Sequence, residues 1–340
     1  MKTGVLLINL GTPEQPDKEA VRTYLKEFLS DPRVIDIHPI ARWLLVHLFI
    51  LPFRSRRSAE AYRKIWSTQG SPLLHHSEAL TYAVGKELGD PYLVKLGMRY
   101  GNPSITSALN FLLEHSISSL KIVPLYPQYA SSSTGTALEK VLQHLAKATN
   151  IPTLTSIPPF YQDPGFLESY AALGRPLLQQ LKPDHVLFSF HGLPERHIVQ
   201  SDPSGNHCLE KSDCCELMND QNHFCYRAHV HHTTQALAQK LALAPDTYSL
   251  SFQSRLGRTP WLQPYTDKVI PQLARKGKKR LLVFCPSFVA DCLETLEEIG
   301  IRAKESFLDN GGTSFTLVPC LNSTPGWVSS VAQMIRKSGD

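Results

Sequence analysis

Three groups of residues in this 340-residue chain have types and spacings suited to chemistry. The first is His191, inside Ser189-Phe190-His191-Gly192-Leu193-Pro194, where a glycine and a proline-fixed turn follow an apolar run. Imidazole is the side chain best suited to take a proton or bind a borderline metal near neutral pH. The second is Asp291-Cys292-Leu293-Glu294-Thr295-Leu296-Glu297-Glu298. Asp291 with Glu294 has the capping-box spacing of an α-helix start, and Glu294 and Glu298 then share one helical face. Stacked carboxylates of this kind can relay a metal ion or protons. Alone, His191 reads as a satisfied strand-end residue and the acidic run as a solvated helix start. The third group is Cys208, Cys214, Cys215 and Cys225, four thiols in a short segment.

Two further stretches carry ligand-handling side chains. Gln253-Ser254-Arg255-Leu256-Gly257-Arg258-Thr259-Pro260-Trp261 offers an amide, two guanidiniums and an indole, and Tyr126-Pro127-Gln128-Tyr129 offers phenols before the hydroxyl-rich run Ser131-Ser132-Ser133-Thr134-Gly135. That run lacks the Lys-Ser/Thr ending of a P-loop, and Gly11 belongs to no Gly-x-Gly-x-x-Gly pattern, so dinucleotide binding is disfavoured. Aromatic rings combined with arginines suit a flat, apolar ligand bearing carboxylates, such as a porphyrin.

The elements that must position these groups are legible as short aliphatic runs alternating with helical patterns, the signature of an α/β fold with parallel sheets. The runs form two sets of four: Val5–Leu10, Leu93–Met98, Lys121–Leu125 and Thr153–Ile157, then His185–Phe190, Tyr248–Phe252, Arg280–Phe284 and Ser314–Val318. The residues after corresponding strands match in kind. Asn9-Leu10-Gly11-Thr12-Pro13 parallels Phe190-His191-Gly192-Leu193-Pro194, and Tyr126-Pro127 parallels Cys285-Pro286. Two similar Rossmann-like domains are therefore expected, each with a four-stranded parallel sheet flanked by helices. The first is expected to span residues 1–150 and the second 151–321, with a C-terminal helix in 322–340 returning to the first. Ligands in such sheets bind beyond the strand C-termini, where every unusual motif lies, which predicts an active site in a cleft between the domains.

Composition permits this. Hydrophobic residues make up 42% and charged residues 19%, enough for two cores, and the formal charge of +5 is too small for a dedicated nucleic-acid binder. No apolar run is long enough to span a bilayer. Trp43–Phe53, bracketed by Arg42, Arg54, Arg56 and Arg57, reads either as a buried core helix or as an apolar lip resting on a membrane. Seven cysteines without a secretion signal argue against a disulfide framework and for a cytoplasmic protein.

Taken in order, Leu7-Ile8-Asn9-Leu10-Gly11-Thr12-Pro13, Met98-Arg99-Tyr100, Leu125-Tyr126-Pro127-Gln128-Tyr129, the His191 motif, the Gln253–Trp261 motif and Asp291-Cys292-Leu293-Glu294-Thr295-Leu296 resemble the ferrochelatase family along nearly the whole chain. The resemblance implies the chelatase fold and a lyase that joins Fe2+ to protoporphyrin IX, releasing two protons, in the last step of haem biosynthesis. It implies that His191, Glu294 and Glu298 are catalytic, with His191 and Glu294 contacting the Fe2+ substrate from opposite porphyrin faces. Arg99, Tyr100, Trp261 and Phe288 match positions that line the porphyrin site, to which the residue types add Tyr126 and Gln253. A chelatase for coproporphyrin III or another tetrapyrrole, and a non-catalytic haem- or porphyrin-binding module, are the competing readings. Two positions depart from relatives: Cys292 stands where vertebrate-type enzymes have histidine, and Arg302 stands where several relatives extend the acidic relay.

Four cysteines in a chain of this kind point to metal rather than to disulfides, and the paired C-x2-C knuckles of zinc ribbons are absent. Sets of four thiolates also hold iron–sulfur clusters. The spacing looks like that of bacterial family members with a 2Fe–2S cluster on an internal segment, which makes Cys208, Cys214, Cys215 and Cys225 the expected ligands. Zinc and free thiols are the alternatives. Nearby His229, His231 and His232 read as an exposed helix cluster.

Overall fold

The computed structural model describes residues 2–257 and 259–338. Its contacts divide the chain into two units. One comprises residues 1–126, 131–158 and 322–340; the other comprises 127–130 and 159–321. The change-over lies past residue 150, because the strand at Thr153–Ser156 pairs with the first sheet.

The first unit holds β1 (Thr3–Gly11), β2 (Tyr92–Tyr100), β3 (Ser119–Pro124) and β4 (Thr153–Ser156), all parallel, in the order β2-β1-β3-β4. Val5-Leu6-Leu7-Ile8 is fully buried. A central parallel strand is covered on both faces, which is why its sequence shows no polar alternation. Leu6 and Ile8 join Ile105, Leu109, Leu120, Ile122 and Val141 in one core cluster. The C-terminal helix, Pro325–Lys337, buries Trp327, Val331 and Ile335 and packs on the helix Pro72–Leu88.

The second unit repeats the plan with β5 (His185–His191), β6 (Tyr248–Gln253), β7 (Arg280–Phe284) and β8 (Ser314–Leu317), parallel, in the order β6-β5-β7-β8. Leu187, Ile270, Leu281, Val283, Ile299 and Phe307 form a core cluster on one side. The expected architecture is thus the observed one. The paired motifs also share a steric device. A Cβ on Gly11 would lie 1.8 Å from the Tyr100 carbonyl oxygen, and one on Gly192 would lie 2.8 Å from that of Gln253. In each sheet the first strand must close onto the end of its edge neighbour, and only glycine leaves room.

Two local expectations change. The segment after Asp291 is not an α-helix with a capping box. It runs as a π-helix over Glu294–Ala303, and Leu293 before it makes no side-chain cap bond. Asp291 Oδ1 instead accepts from the Thr295 hydroxyl and the Cys320 amide. The Trp43–Phe53 stretch is not a core helix. It forms the end of the helix Pro39–Leu44, a π-helix over Leu45–Ile50 and the start of the helix Leu51–Ile65, and it leaves Trp43, Leu48, Phe49 and Phe53 exposed, Phe53 by 78%. No described helix is long and apolar enough to cross a membrane.

Candidate active site

His191 ends β5 in register with Gln253 of β6. Its ring Nδ1 lies 2.6 Å from the Gly192 carbonyl oxygen. A carbonyl only accepts, so Nδ1 carries a proton, and in the neutral imidazole the lone pair is then on Nε2. The main chain is held as firmly. The His191 amide donates to Ser287 Oγ at 3.2 Å, the Tyr226 hydroxyl donates to the His191 carbonyl at 2.8 Å, and the Gly192 amide donates to the Gln253 carbonyl at 2.8 Å. The Phe288 ring stands edge-on to the imidazole with centroids 6.2 Å apart.

Glu294 is joined to this histidine through Gln253. The buried Gln253 side chain donates from Nε2 to the Glu294 carbonyl at 2.8 Å, while its Oε1 accepts from Ser189 Oγ at 2.7 Å. Both ends of the amide are committed, so Gln253 is a strut between β6 and the π-helix. One turn on, Glu298 is gripped at both oxygens by Ser254, whose amide donates at 2.9 Å and whose hydroxyl donates at 2.5 Å. Ser254 achieves this in a left-handed conformation, φ 65°. π-Helical turns of this kind are uncommon and concentrate at functional sites. Their i,i+5 geometry pairs Arg302 with the buried Glu297 at 2.7 Å, so the arginine at the departing position neutralises a neighbour on its own helix.

Burial pushes the thiols of Cys285, Cys292 and Cys320 far above their ordinary range, with the charge of Glu294 adding to the effect at Cys292. They stay protonated and are weak metal ligands in that form.

The expected porphyrin contacts are distributed unevenly. In the second unit, Phe288 borders His191, and Trp261 lies against Gly192 with its indole Nε1 buried and without a partner among the described residues. Arg255 is exposed and pairs with Asp267; Arg258 lies outside the described residues. In the first unit Tyr100 has no exposed surface, its ring packs on Phe28 and its hydroxyl donates to Asp31 at 2.9 Å. It packs as a core residue, with its hydroxyl already taken by Asp31. Arg99 pairs with the same Asp31 carboxylate and donates from Nε to Thr136, and its guanidinium lies 4.4 Å from the Tyr100 ring centroid. Burial alone would raise Asp31, but the hydrogen bonds from Thr136, the Arg33 amide and Tyr100, with the Arg99 charge, hold it below the usual carboxylate range. The Tyr126 hydroxyl is buried without a partner among the described residues, and burial pushes its ionisation up.

The cysteine segment has no helix or strand among its described residues between Ser201 and Cys225. Two buried polar side chains hold it together instead. Asp202 accepts from the amides of Ser204, His207 and Cys208 and from the Ser204 hydroxyl, and Asn222 donates to the carbonyls of Cys214 and Leu217. All four thiols are buried. Cys214 and Cys215 have their sulfurs 3.8 Å apart, and the free Cys225 thiol is hydrogen-bonded with those of Cys215 and Cys208. The Cys215 thiol pulls Cys225 down to about 6, aided by the amides of Ala228 and Arg227 at the start of the helix Tyr226–Lys240. Arg227 donates to the sulfurs of Cys214 and Cys215 at 3.4 and 3.3 Å. Convergent thiols, one held as thiolate and two facing a guanidinium, make a donor set suited to an anionic sulfur-ligated group. Among the described residues no three His, Cys, Asp or Glu side chains are placed to hold a single metal ion. His229 is not on an exposed face. It is buried, stacked on Tyr161 at 3.9 Å, accepting from the Tyr129 amide and donating to the His223 carbonyl; His231 and His232 are half-buried.

The ferrochelatase family model matches residues 2–339. The chain belongs to the ferrochelatase family. A ferrochelatase of Coxiella burnetii (strain CbuK_Q154) is 49% identical over 338 residues, covering 99% of this chain and 94% of that one. One of Legionella pneumophila subsp. pneumophila (strain Philadelphia 1) is 49% identical over 337 residues, covering 99% of each. Among solved structures, SirB from Bacillus subtilis with Fe3+ superposes with a TM-score of 0.56 at 11% identity, covering 99% of this chain and 96% of that one. CbiX, the terminal enzyme for biosynthesis of sirohaem in denitrifying bacteria, gives 0.50 at 12% identity, with full coverage of both chains. At such low identity these two show the chelatase fold alone. Sequence reasoning had no route to Ser254, Tyr226 and Ser287 as members of the site. Ser254 lies inside the Gln253–Trp261 motif and the other two only beside motifs, and the roles of all three arise from contacts distant in the chain.

Proposed function

We propose that this member of the family inserts Fe2+ into protoporphyrin IX, giving protohaem and two protons. The observation that carries this reading is the coupling of a histidine whose Nε2 lone pair is free by tautomer to a glutamate one strut away, through Gln253. In the reaction two pyrrole N–H bonds are replaced by bonds to iron. His191 Nε2 is placed to accept a pyrrole proton or to meet the metal, and Glu294, with Glu298 behind it, supplies carboxylate oxygens for iron or the second proton. The protonated Cys292 thiol beside Glu294 avoids the strong thiolate ligation that would retain iron. The test is anaerobic incubation with Fe2+ and protoporphyrin IX or coproporphyrin III. Haem formation with protoporphyrin IX, lost in His191→Ala while porphyrin still quenches tryptophan fluorescence, is expected. Turnover with coproporphyrin III alone, or full activity in His191→Ala, overturns the reading.

The fit of the cysteine segment supports a 2Fe–2S cluster held by Cys208, Cys214, Cys215 and Cys225, which when bound would supply a redox- and oxygen-sensitive structural tie. Its thiols need a reducing compartment, which favours the cytoplasm. Brown protein with two irons per chain is expected from anaerobic, iron-replete preparation; colourless protein from the same preparation counts against it. The exposed Trp43, Leu48, Phe49 and Phe53, beside Arg42, Arg56 and Arg57, support a peripheral contact with an anionic membrane. Phe49→Ser with Phe53→Ser should abolish co-sedimentation with anionic vesicles. Undiminished binding would exclude this surface.

A further inference from the structure

Tyr226 stands between two residues that belong to the sulfur group. Cys225 before it hydrogen-bonds with the thiols of Cys208 and Cys215, and Arg227 after it donates to Cys214 and Cys215. Tyr226 opens the helix Tyr226–Lys240, so its backbone follows the packing of those sulfurs. Its ring is buried and its hydroxyl reaches His191. There the hydrogens can be placed uniquely. The Tyr226 O–H donates to the His191 carbonyl at 2.8 Å, the Ser287 O–H donates to Tyr226 Oη at 2.9 Å, and the His191 N–H donates to Ser287 Oγ at 3.2 Å. The result is a closed ring of three hydrogen bonds that grips His191 at both main-chain groups. The peptide after His191 is also clamped from two sides, its carbonyl by Tyr226 and its N–H by the Gln253 carbonyl. The next carbonyl, that of Gly192, fixes the imidazole tautomer. A shift of the cysteine segment therefore has a direct physical path to the basic nitrogen, through one rigid phenol.

We propose that Tyr226 is the positioning residue through which the cysteine segment sets the placement and tautomer of His191. The proposal rests on the reading of His191 as the reactive base, so its test is built to fail separately. Tyr226→Phe removes the hydroxyl and keeps the ring. It should lower kcat for iron insertion by about 5- to 100-fold with the porphyrin KM unchanged, the range spanned by a lost hydrogen bond and a displaced catalytic group. The imidazole 15N resonances of His191, followed in protein stripped of cluster iron, should move toward mixed tautomers in both Tyr226→Phe and Cys225→Ser. The double variant should be no worse than the poorer single variant, because both act along one path. Ser287→Ala, which opens the ring from its other side, should reproduce the kcat loss and serves if Tyr226→Phe does not fold. Parental kcat and 15N shifts in Tyr226→Phe, or additive losses in the double variant, overturn the proposal. Full activity in His191→Ala would instead sink the role of the base itself.

Discussion

Replacing Gln253 by leucine separates the strut from the porphyrin contact that its residue type suggests. The amide is buried, donating to the Glu294 carbonyl at 2.8 Å and accepting from Ser189 at 2.7 Å. Leucine matches the volume but removes that carbonyl's side-chain donor, a cost of about 1–3 kcal/mol for a partly buried group. Ser189 loses less, because its hydroxyl already lies 3.0 Å from Thr266 Oγ1 and can turn to it. The added apolar burial returns about 1 kcal/mol. The net loss is then up to about 2 kcal/mol, or a fall of at most roughly 8 °C in the melting temperature of a unit this size. Because the freed carbonyl belongs to Glu294, kcat should fall along with stability, while the porphyrin KM stays within about twofold. Differential scanning calorimetry and steady-state insertion kinetics on the same preparation read all three quantities. An unchanged melting temperature with a raised KM would refute the strut and restore the porphyrin contact.

Two other outcomes follow from the geometry. Ser254→Ala keeps the left-handed strain but loses the hydroxyl on Glu298, whereas Ser254→Gly loses the hydroxyl and relieves the strain. Urea unfolding should therefore rank the parent above glycine and glycine above alanine, the last two separated by about 1 kcal/mol; alanine equal to or above glycine contradicts this. His229 is held neutral, because burial lowers it to about 4 and its Nδ1 accepts from the Tyr129 amide. Its unfolded form binds a proton from about pH 6.5 downward. The stability it contributes is thus full above that pH, declines as pH falls toward 4, and amounts to about 3 kcal/mol at most. The urea midpoint should fall less steeply between pH 6.5 and 4 in His229→Gln than in the parent, and equal slopes would show that another group governs acid unfolding.

Much of the scaffold was legible in the amino-acid order because parallel strands covered on both faces need unbroken apolar runs. Val5-Leu6-Leu7-Ile8 and Leu281-Leu282-Val283-Phe284 are such runs, and each ends in a motif that marks a strand C-terminus. The doubling of Gly11 and Gly192 was legible for the same reason: a steric demand imposed twice by one topology leaves the same residue twice.

Other features depended on partners brought in from elsewhere in the chain. Asp291 and Glu294 satisfy an α-helical capping pattern, yet Asp291 bonds Thr295 and the amide of Cys320, and the helix winds as π. Tyr100 and Gln253 carry the functional groups of ligand contacts, but Asp31 and Glu294 claim them. His229 looked like one of a polar trio until Tyr161 covered it. The sequence by itself determined the two sheets, the edge at which His191 and Glu294 emerge, and the family. The tertiary structure alone decided which polar groups remain for chemistry, because a hydrogen-bonding side chain is free for a ligand only where no buried neighbour has already taken it.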